Sequence, residues 1–467
     1  MIAMHNPSTS RTGGLFIGGT LVTALATTSV VRGQSPNVPA ESSPQGIAIL
    51  HATVHTASGD PTRSQVVEDA WLLVKDGRIV GLGGADEAMP ALEEGAWKVL
   101  DATGMHVCPG FHAMDTQLGL IETMQVRATD DRRETGDVTA EVVPAVAINP
   151  DSDLLPVARA GGVLLASVAP EGGLIPGWCS TIRLDGWTTE DLAIEPRAGL
   201  VVAWPMLDPV RAPWLRRSEG SQRDRTREQL DALEKLFDQA EAWKAARAAD
   251  PDFAMDRRLA SLAETLDGGK PVLVSCGSTS QVESAIAFAA RRGLRIAIVG
   301  GPGTLEVAEL LAELDIPVVV DGVHRMPSHR HDRPATPFEL AGRLHQAGVR
   351  VAIAAMEEPA HERNLPHQAA TAAAHGLPPE LALAAITRVP AEIVGVADTY
   401  GTLEAGRSAT LLVLDGPPLE IASTPLVAMI DGRVIDLSSR QTRQRDKYLE
   451  KYRRLGLLAD PAATTAP

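Results

Sequence analysis

The 467-residue chain carries 43 Lys and Arg against 59 Asp and Glu, a net charge of −16 at pH 7, and 44% of its residues are hydrophobic. That much apolar material suffices for a large buried core, either one big barrel or several domains. The acidic balance excludes a nucleic-acid or anionic-membrane surface, each of which needs clustered cations, and leaves a small soluble molecule as the expected partner. The cysteines, Cys108, Cys179 and Cys276, are too widely spaced for a disulfide framework or a CxxC metal ribbon and read as small buried side chains. Arg11 precedes an uncharged run over residues 13–31 that ends at Arg32-Gly33-Gln34-Ser35. That is a secretory signal pattern. Residues 1–35 are therefore expected to be removed and 36–46 to form a linker, giving a periplasmic or extracellular protein without stable membrane association. The alternative is an uncleaved anchor, because a run of about 19 residues just spans a bilayer.

Alternating apolar residues and turns fill residues 46–100, with Asp76-Gly77 between two of the runs, and the pattern returns at 409–415 and 427–436. Asp-Gly between alternating runs marks a hairpin. Similar strand chemistry at both ends predicts that 47–106 and 406–436 pair into one small composite β-sandwich. The middle, 107–405, alternates strands and helices at the spacing of βα units around a parallel sheet. A helix is predicted over 153–160, then strands from Val163, over 182–186 and over 200–205. The clearest helix, 222–249, carries Leu230, Leu233, Phe237, Ala240 and Trp243 as one apolar stripe, which reads as core packing. Strands 272–276, 296–300, 318–320 and 351–355 alternate with helices 281–292, 303–314 and 336–347. The fold class is thus α/β, a (β/α)8 TIM-type barrel beside the sandwich, with any site built at the strands' C-terminal ends. Residues 437–467 read as a charged helix and a disordered Ala/Thr/Pro end.

Residues 101–120, DATGMHVCPGFHAMDTQLGL, break at Pro109-Gly110 and then present polar side chains. This stretch resembles the first barrel strand of the amidohydrolase superfamily, where D-A-x-G-x-x-V-x-P-G-[FL] leads into a metal-binding His-x-His pair. The likeness continues in GTLEAGRSATLLVLDGPPL from Gly401 and in ATAAAHGLPPELALAAITRVPAEIVGVAD from Ala370, and covers about residues 47–436. It is greatest toward imidazolonepropionase-like and related exported amidohydrolases, which hydrolyse C–N bonds in cyclic or peptide-like amides. The resemblance implies the barrel, the sandwich and a divalent metal such as zinc. Yet Asp115 and Gln117 stand at the His-x-His positions. Ser275-Cys276 and Gly300-Gly301 stand where strands 5 and 6 would end in His, and Met356 where strand 8 would supply Asp. No lysine lies between Lys98 and Lys235 to bridge two metals. The expectation is a protein without a metal cofactor, impaired in catalysis and binding a small ligand. The alternative is an active amide or lactam hydrolase with a rearranged site.

Candidate catalytic groups are Asp115, Gln117, Glu357 and His112, the last also readable as a packed, hydrogen-bonded histidine. Glu122, Ser275, Cys276, Gly300 and Met356 are candidates for lining the pocket. His329, His331 and Asp332 offer ligand types at close spacing, in an Arg-rich loop that opposes cation binding. A homo-oligomer is compatible with all of this.

Overall fold

The computed structural model describes residues 37–59, 65–210, 218–328, 330, 332–356 and 358–458. The expected signal, residues 1–35, lies outside them. Among the described residues no helix is long and apolar enough to cross a membrane.

Strands β1 (Gly46–His55), β2 (Val66–Lys75), β3 (Arg78–Gly83), β4 (Trp97–Asp101) and β5 (His106–Pro109) come from the first part of the chain. A central set follows: β6 (Phe111–Thr116), β7 (Val163–Val168), β8 (Gly177–Arg183), β9 (Ala193–Ala203), β10 (Val272–Cys276), β11 (Ile296–Gly300), β12 (Val318–Asp321) and β13 (Val351–Ala354). The chain then returns through β14 (Leu411–Leu414), β15 (Pro425–Ile430) and β16 (Arg433–Val434). Strands from both ends join one eight-stranded sheet in the order β16-β15-β14-β5-β1-β2-β3, with β4 added to β1. The Asp-Gly turns occur as read: Asp76 and Gly77 have φ of 50° and 80°, Asp431 and Gly432 48° and 73°.

The central strands form a second eight-stranded sheet in sequence order, and β13 comes round beside β6. The seam is bridged by chain from farther on, because His112 N donates to Ile386 O at 2.8 Å and Ile353 N to Ala385 O at 2.9 Å. The result is a nearly closed barrel. It departs from eight repeated βα units at β8, which pairs antiparallel with both β7 and β9. Connection length explains this. Only 169–176 joins β7 to β8, and a parallel return needs a crossover of about a dozen residues or more. The predicted strands at 182–186 and 200–205 are the ends of these longer strands.

Alternation along each strand sorts side chains between two cores. Met114, Leu165, Cys179, Val201, Leu273, Ala297, Val319 and Ala352, one per barrel strand, fill the interior with Val389 and Ile393 from the segment after the seam. Phe111, Leu164, Trp178, Leu200, Val272, Ile298, Val318 and Ile353 face outward to the helices. Helices α1 (Leu154–Ala160), α2 (Thr189–Leu192), α3 (Glu219–Ala249), α4 (Arg257–Ala263), α5 (Thr279–Arg292), α6 (Ala308–Glu313), α7 (Thr336–Gln346), α8 (Leu365–Ala374), α9 (Pro379–Ala384), α10 (Arg388–Ile393) and α11 (Arg440–Arg454) complete the chain. On α3 the buried residues are Leu233, Phe237 and Ala240, the centre of the predicted stripe. Burying each of the two larger ones contributes about 2 kcal/mol. The helix read over 303–314 begins as a 3-10 turn, Pro302–Val307, in which Gly303 lies against the Ser278–Thr279 backbone, with 2.8 Å from its Cβ position to Thr279 N.

One buried ion cluster ties barrel, sheet and linker together. Asp185, after β8, accepts from Arg159 of α1 at 2.8 Å, with the two side chains only 1% and 6% exposed. It also accepts from Arg433 of β16 at 3.3 Å and from Ala40 N at 3.1 Å. Breaking a buried pair by removing one partner strands the other charge and typically costs about 3–5 kcal/mol. Asp185→Ala is therefore expected to destabilise the protein by about that much in urea titration at neutral pH, and Asp185→Asn by less, because its amide oxygen keeps one acceptor.

Candidate functional site

The C-terminal ends of the barrel strands bring Asp115, Asp321 and Glu171 toward one region. Asp115 arises from a local irregularity. The β6–β7 ladder runs Phe111↔Val163 and Ala113↔Ala166, then shifts before Thr116↔Val168, and Asp115 within the shift has φ 51°. A bulge of this kind re-aims one side chain. Asp115 is half-buried, and no hydrogen bond or ion pair reaches its carboxylate among the described residues. Burial, then the charge of Asp321, then that of Glu171 push its carboxyl up to about 6, since each disfavours the ionised form.

Asp321 ends β12, and its carboxylate is paired with the Arg325 guanidinium four residues on. Burial raises its pKa while Arg325 opposes the rise. The pair lies against Gly301 after β11. A Cβ at Gly301 would come within 2.8 Å of both Arg325 Nη1 and Asp321 Oδ1, so the missing side chain makes room for the ion pair. Glu171, in the short β7–β8 connection, is held by Arg132 at 3.0 Å and Arg133 at 3.1 Å. Of the three carboxylates, Asp115 alone has no cationic partner among the described residues.

The other sequence candidates distribute unevenly. Ser275 alternates inward on β10, and Gln117 is half-buried just past Asp115. Cys276 does not line the mouth: the two-residue period turns it into the outer core, 4% exposed, where burial raises its thiol to about 12. Gly300 is enclosed, its Cβ position 2.5 Å from Cys276 O, so it is a packing glycine. Met356 has φ 50° and is 58% exposed, directed outward to solvent. Glu122 leaves the mouth to accept from Asn149 Nδ2 at 3.3 Å, tying the loop after β6 to the start of α1, and burial raises its pKa. His112 points into the barrel instead of its mouth. It is fully buried, with Nε2 hydrogen-bonded to Ser167 Oγ at 2.8 Å and Ser167 to Thr181 at 3.1 Å, and burial takes its imidazole down to about 3. It is a neutral, hydrogen-bonded core histidine. Glu357, His329 and His331 lie outside the described residues, and Asp332 is half-buried. Among the described residues no three His, Cys, Asp or Glu side chains converge as a metal ion requires.

Sequence reasoning missed Asp321 and Arg325. The available signal was an apolar run ending in Asp-Gly at 321–322, which is how a barrel strand delivers a polar side chain.

The model of the amidohydrolase family matches residues 189–438. Amidohydrolase tasK of Hapsidospora irregularis is 38% identical over 58 residues, 12% of this chain and 6% of that protein, so the likeness spans a small fraction of the relative. Among solved structures, an amidohydrolase from Thermotoga maritima MSB8 superimposes with a TM-score of 0.70 at 23% identity, covering 84% of this chain and 99% of that one. A prolidase complexed with N-methylphosphonate-L-proline gives 0.50 at 18% identity, covering 84% and 100%. At these identities the structural likeness is one of fold.

The raised Asp115 carboxyl has a signature in stability. Below about pH 4 the group is mostly protonated both folded and unfolded, so it contributes little. Between about pH 4 and 6 the unfolded chain has lost this proton while the folded chain keeps it, so stability falls across that window and is level above it. A shift of roughly two units is worth about 3 kcal/mol, reduced to about 2 for partial solvent screening. Asp115→Asn is therefore expected to be more stable than the parent by about 2 kcal/mol at pH 8 and equal to it at pH 3.5, measured by denaturant titration at both values.

Proposed function

The chain belongs to the amidohydrolase family, and from that premise we propose that its barrel mouth holds a small amide-like or peptide-like molecule while hydrolysis by a metal-activated water is impaired. A zinc hydrolase relies on the ion to lower the pKa of bound water to about 7 and to polarise the carbonyl. The residues here do not suit that ion. Asp115 with Gln117 supplies one carboxylate and one neutral amide, a poor donor set for zinc. Asp321 is already satisfied by Arg325. The observation that carries the proposal is this ion pair beside Gly301: a guanidinium stands where strand-end ligands would have to gather, and it repels a second cation. What remains suits recognition. Protonated Asp115 can donate to an amide carbonyl or, ionised, accept its N–H, and the partly exposed Arg325 can face a carbonyl or carboxylate oxygen. Export directed by residues 1–35, with a terminal sheet that closes as the family's sandwich, belongs to the same reading.

A second reading rests on a separate observation, the titration of Asp115 near 6, which suits a general acid or base close to neutral pH. In that case an active amide or lactam hydrolase would draw its site from Asp115 and Gln117, with Glu357 or the His329–His331 loop.

Purification from zinc-, nickel- and manganese-supplemented medium followed by elemental analysis separates the two, together with assays on small amides, lactams and dipeptides. The expected result is far less than one metal per chain and hydrolysis no faster than for Asp115→Ala. Stoichiometric metal with turnover that Asp115→Ala abolishes would establish the second reading instead.

A further inference from the structure

Away from the barrel mouth, a cavity of about 130 Å³ lies between the terminal sheet and α9. Its walls are apolar: Ala57 and Val66 from the sheet side, Leu383 from α9, and Pro417, Pro418 and Leu419 from the loop after β14. Three polar residues interrupt them: His55 at the end of β1, Gln65 just before β2, whose Nε2 already donates to Ser58 O at 2.7 Å, and Glu380 in the first turn of α9. None of the mouth residues contributes. A dry cavity of about 150 Å³ with apolar walls is enough to take up benzene.

The polar groups decide what such a guest must carry. His55 Nε2 shares a 2.9 Å hydrogen bond with His106 Nδ1 of β5, and the two rings stack with centroids 5.2 Å apart. Burial and the neighbouring imidazole hold His55 down to about 4, so it is a neutral partner at ordinary pH. Glu380 is exposed at the rim, and its charge is felt by His55. A guest therefore meets apolar walls, an uncharged imidazole and the Gln65 amide inside, and one carboxylate at the entrance. That combination repels an apolar acid and favours an apolar amine.

We propose that the cavity lined by His55, Leu383, Leu419 and Glu380 is a second ligand site, taking a small apolar amine of roughly benzene size with its ammonium at Glu380. The body displaces poorly held water from the apolar walls, and the ammonium remains at the wet rim, where desolvating it costs least.

Cyclohexylamine, cyclohexanol and cyclohexanecarboxylate titrated against the full chain test this, with the methyl NMR signals of Leu383 and Leu419 as the readout. Saturable shifts are expected for the amine and weaker ones for the alcohol, with none for the acid. Glu380→Gln, at an exposed position, should weaken the amine about fivefold, the size of a solvent-exposed charge pair, and leave the alcohol unchanged. Leu419→Trp should abolish both by filling the space. Absence of saturation by cyclohexylamine, equal binding of cyclohexanecarboxylate, or full amine affinity in Leu419→Trp would each overturn the proposal. So would loss of amine binding in Asp115→Ala, because it would assign the amine to the barrel mouth.

Discussion

Gly110 is the single residue between β5 and β6, and the rest of the architecture depends on the passage it allows. On one side Pro109 is paired with Leu411 of the terminal sheet; on the other Phe111 is paired with Val163 of the barrel. The chain must change sheets within one peptide unit, and its backbone is fixed there by Gly110 N donating to Thr410 O at 3.1 Å. A Cβ at this point would come within 2.6 Å of Leu164 Cδ1. With the junction set, the barrel's first strand has one registration, and Asp115 is delivered to the mouth a strand-length later. The same packing brings β14 against β5, so the two ends of the chain meet in one sheet as a consequence of where the barrel begins.

Much of this was legible because strands and helices write their periods into the sequence. The α3 stripe, the Asp-Gly hairpins, the strand–helix alternation from Val272 onward and the return of the C-terminal strands all depend on local patterns, and all appear. The candidate site was legible in part. Asp115 was identifiable from its place after Pro109-Gly110, and Ser275 from the end of an apolar run. Cys276 could not be separated from Ser275 without knowing which residue of the pair faces inward, and one residue of register reverses that answer.

The features that escaped are those set by distance or by a broken pattern. The reversal of β8 depends on the brevity of 169–176, which a count of strands does not register. The seam closed by Ala385 and Ile386 joins segments more than 200 residues apart, and the Arg159–Asp185–Arg433 cluster joins three elements with no shared motif. His112 was readable as a buried histidine, but its partner Ser167 lies 55 positions away. Burial of polar groups in such long-range networks is decided by the fold as a whole.

The mouth also shows how the absence of one side chain decides what can sit among the strand ends. Glycine at 301 gives up a side chain at the end of β11, and the space goes to the guanidinium of Arg325 folded back on Asp321. A charge so placed acts in two directions. It removes Asp321 from the pool of free carboxylates, and it sets a positive group among the strand ends, where a divalent ion would be opposed at short range in a medium that screens poorly. Asp115 then has no partner among the described residues, and its proton is held to near-neutral pH by burial first and by neighbouring carboxylates second. Under the proposed function, a barrel mouth arranged in this way grips a polar, uncharged group by hydrogen bonds in place of activating water on a metal.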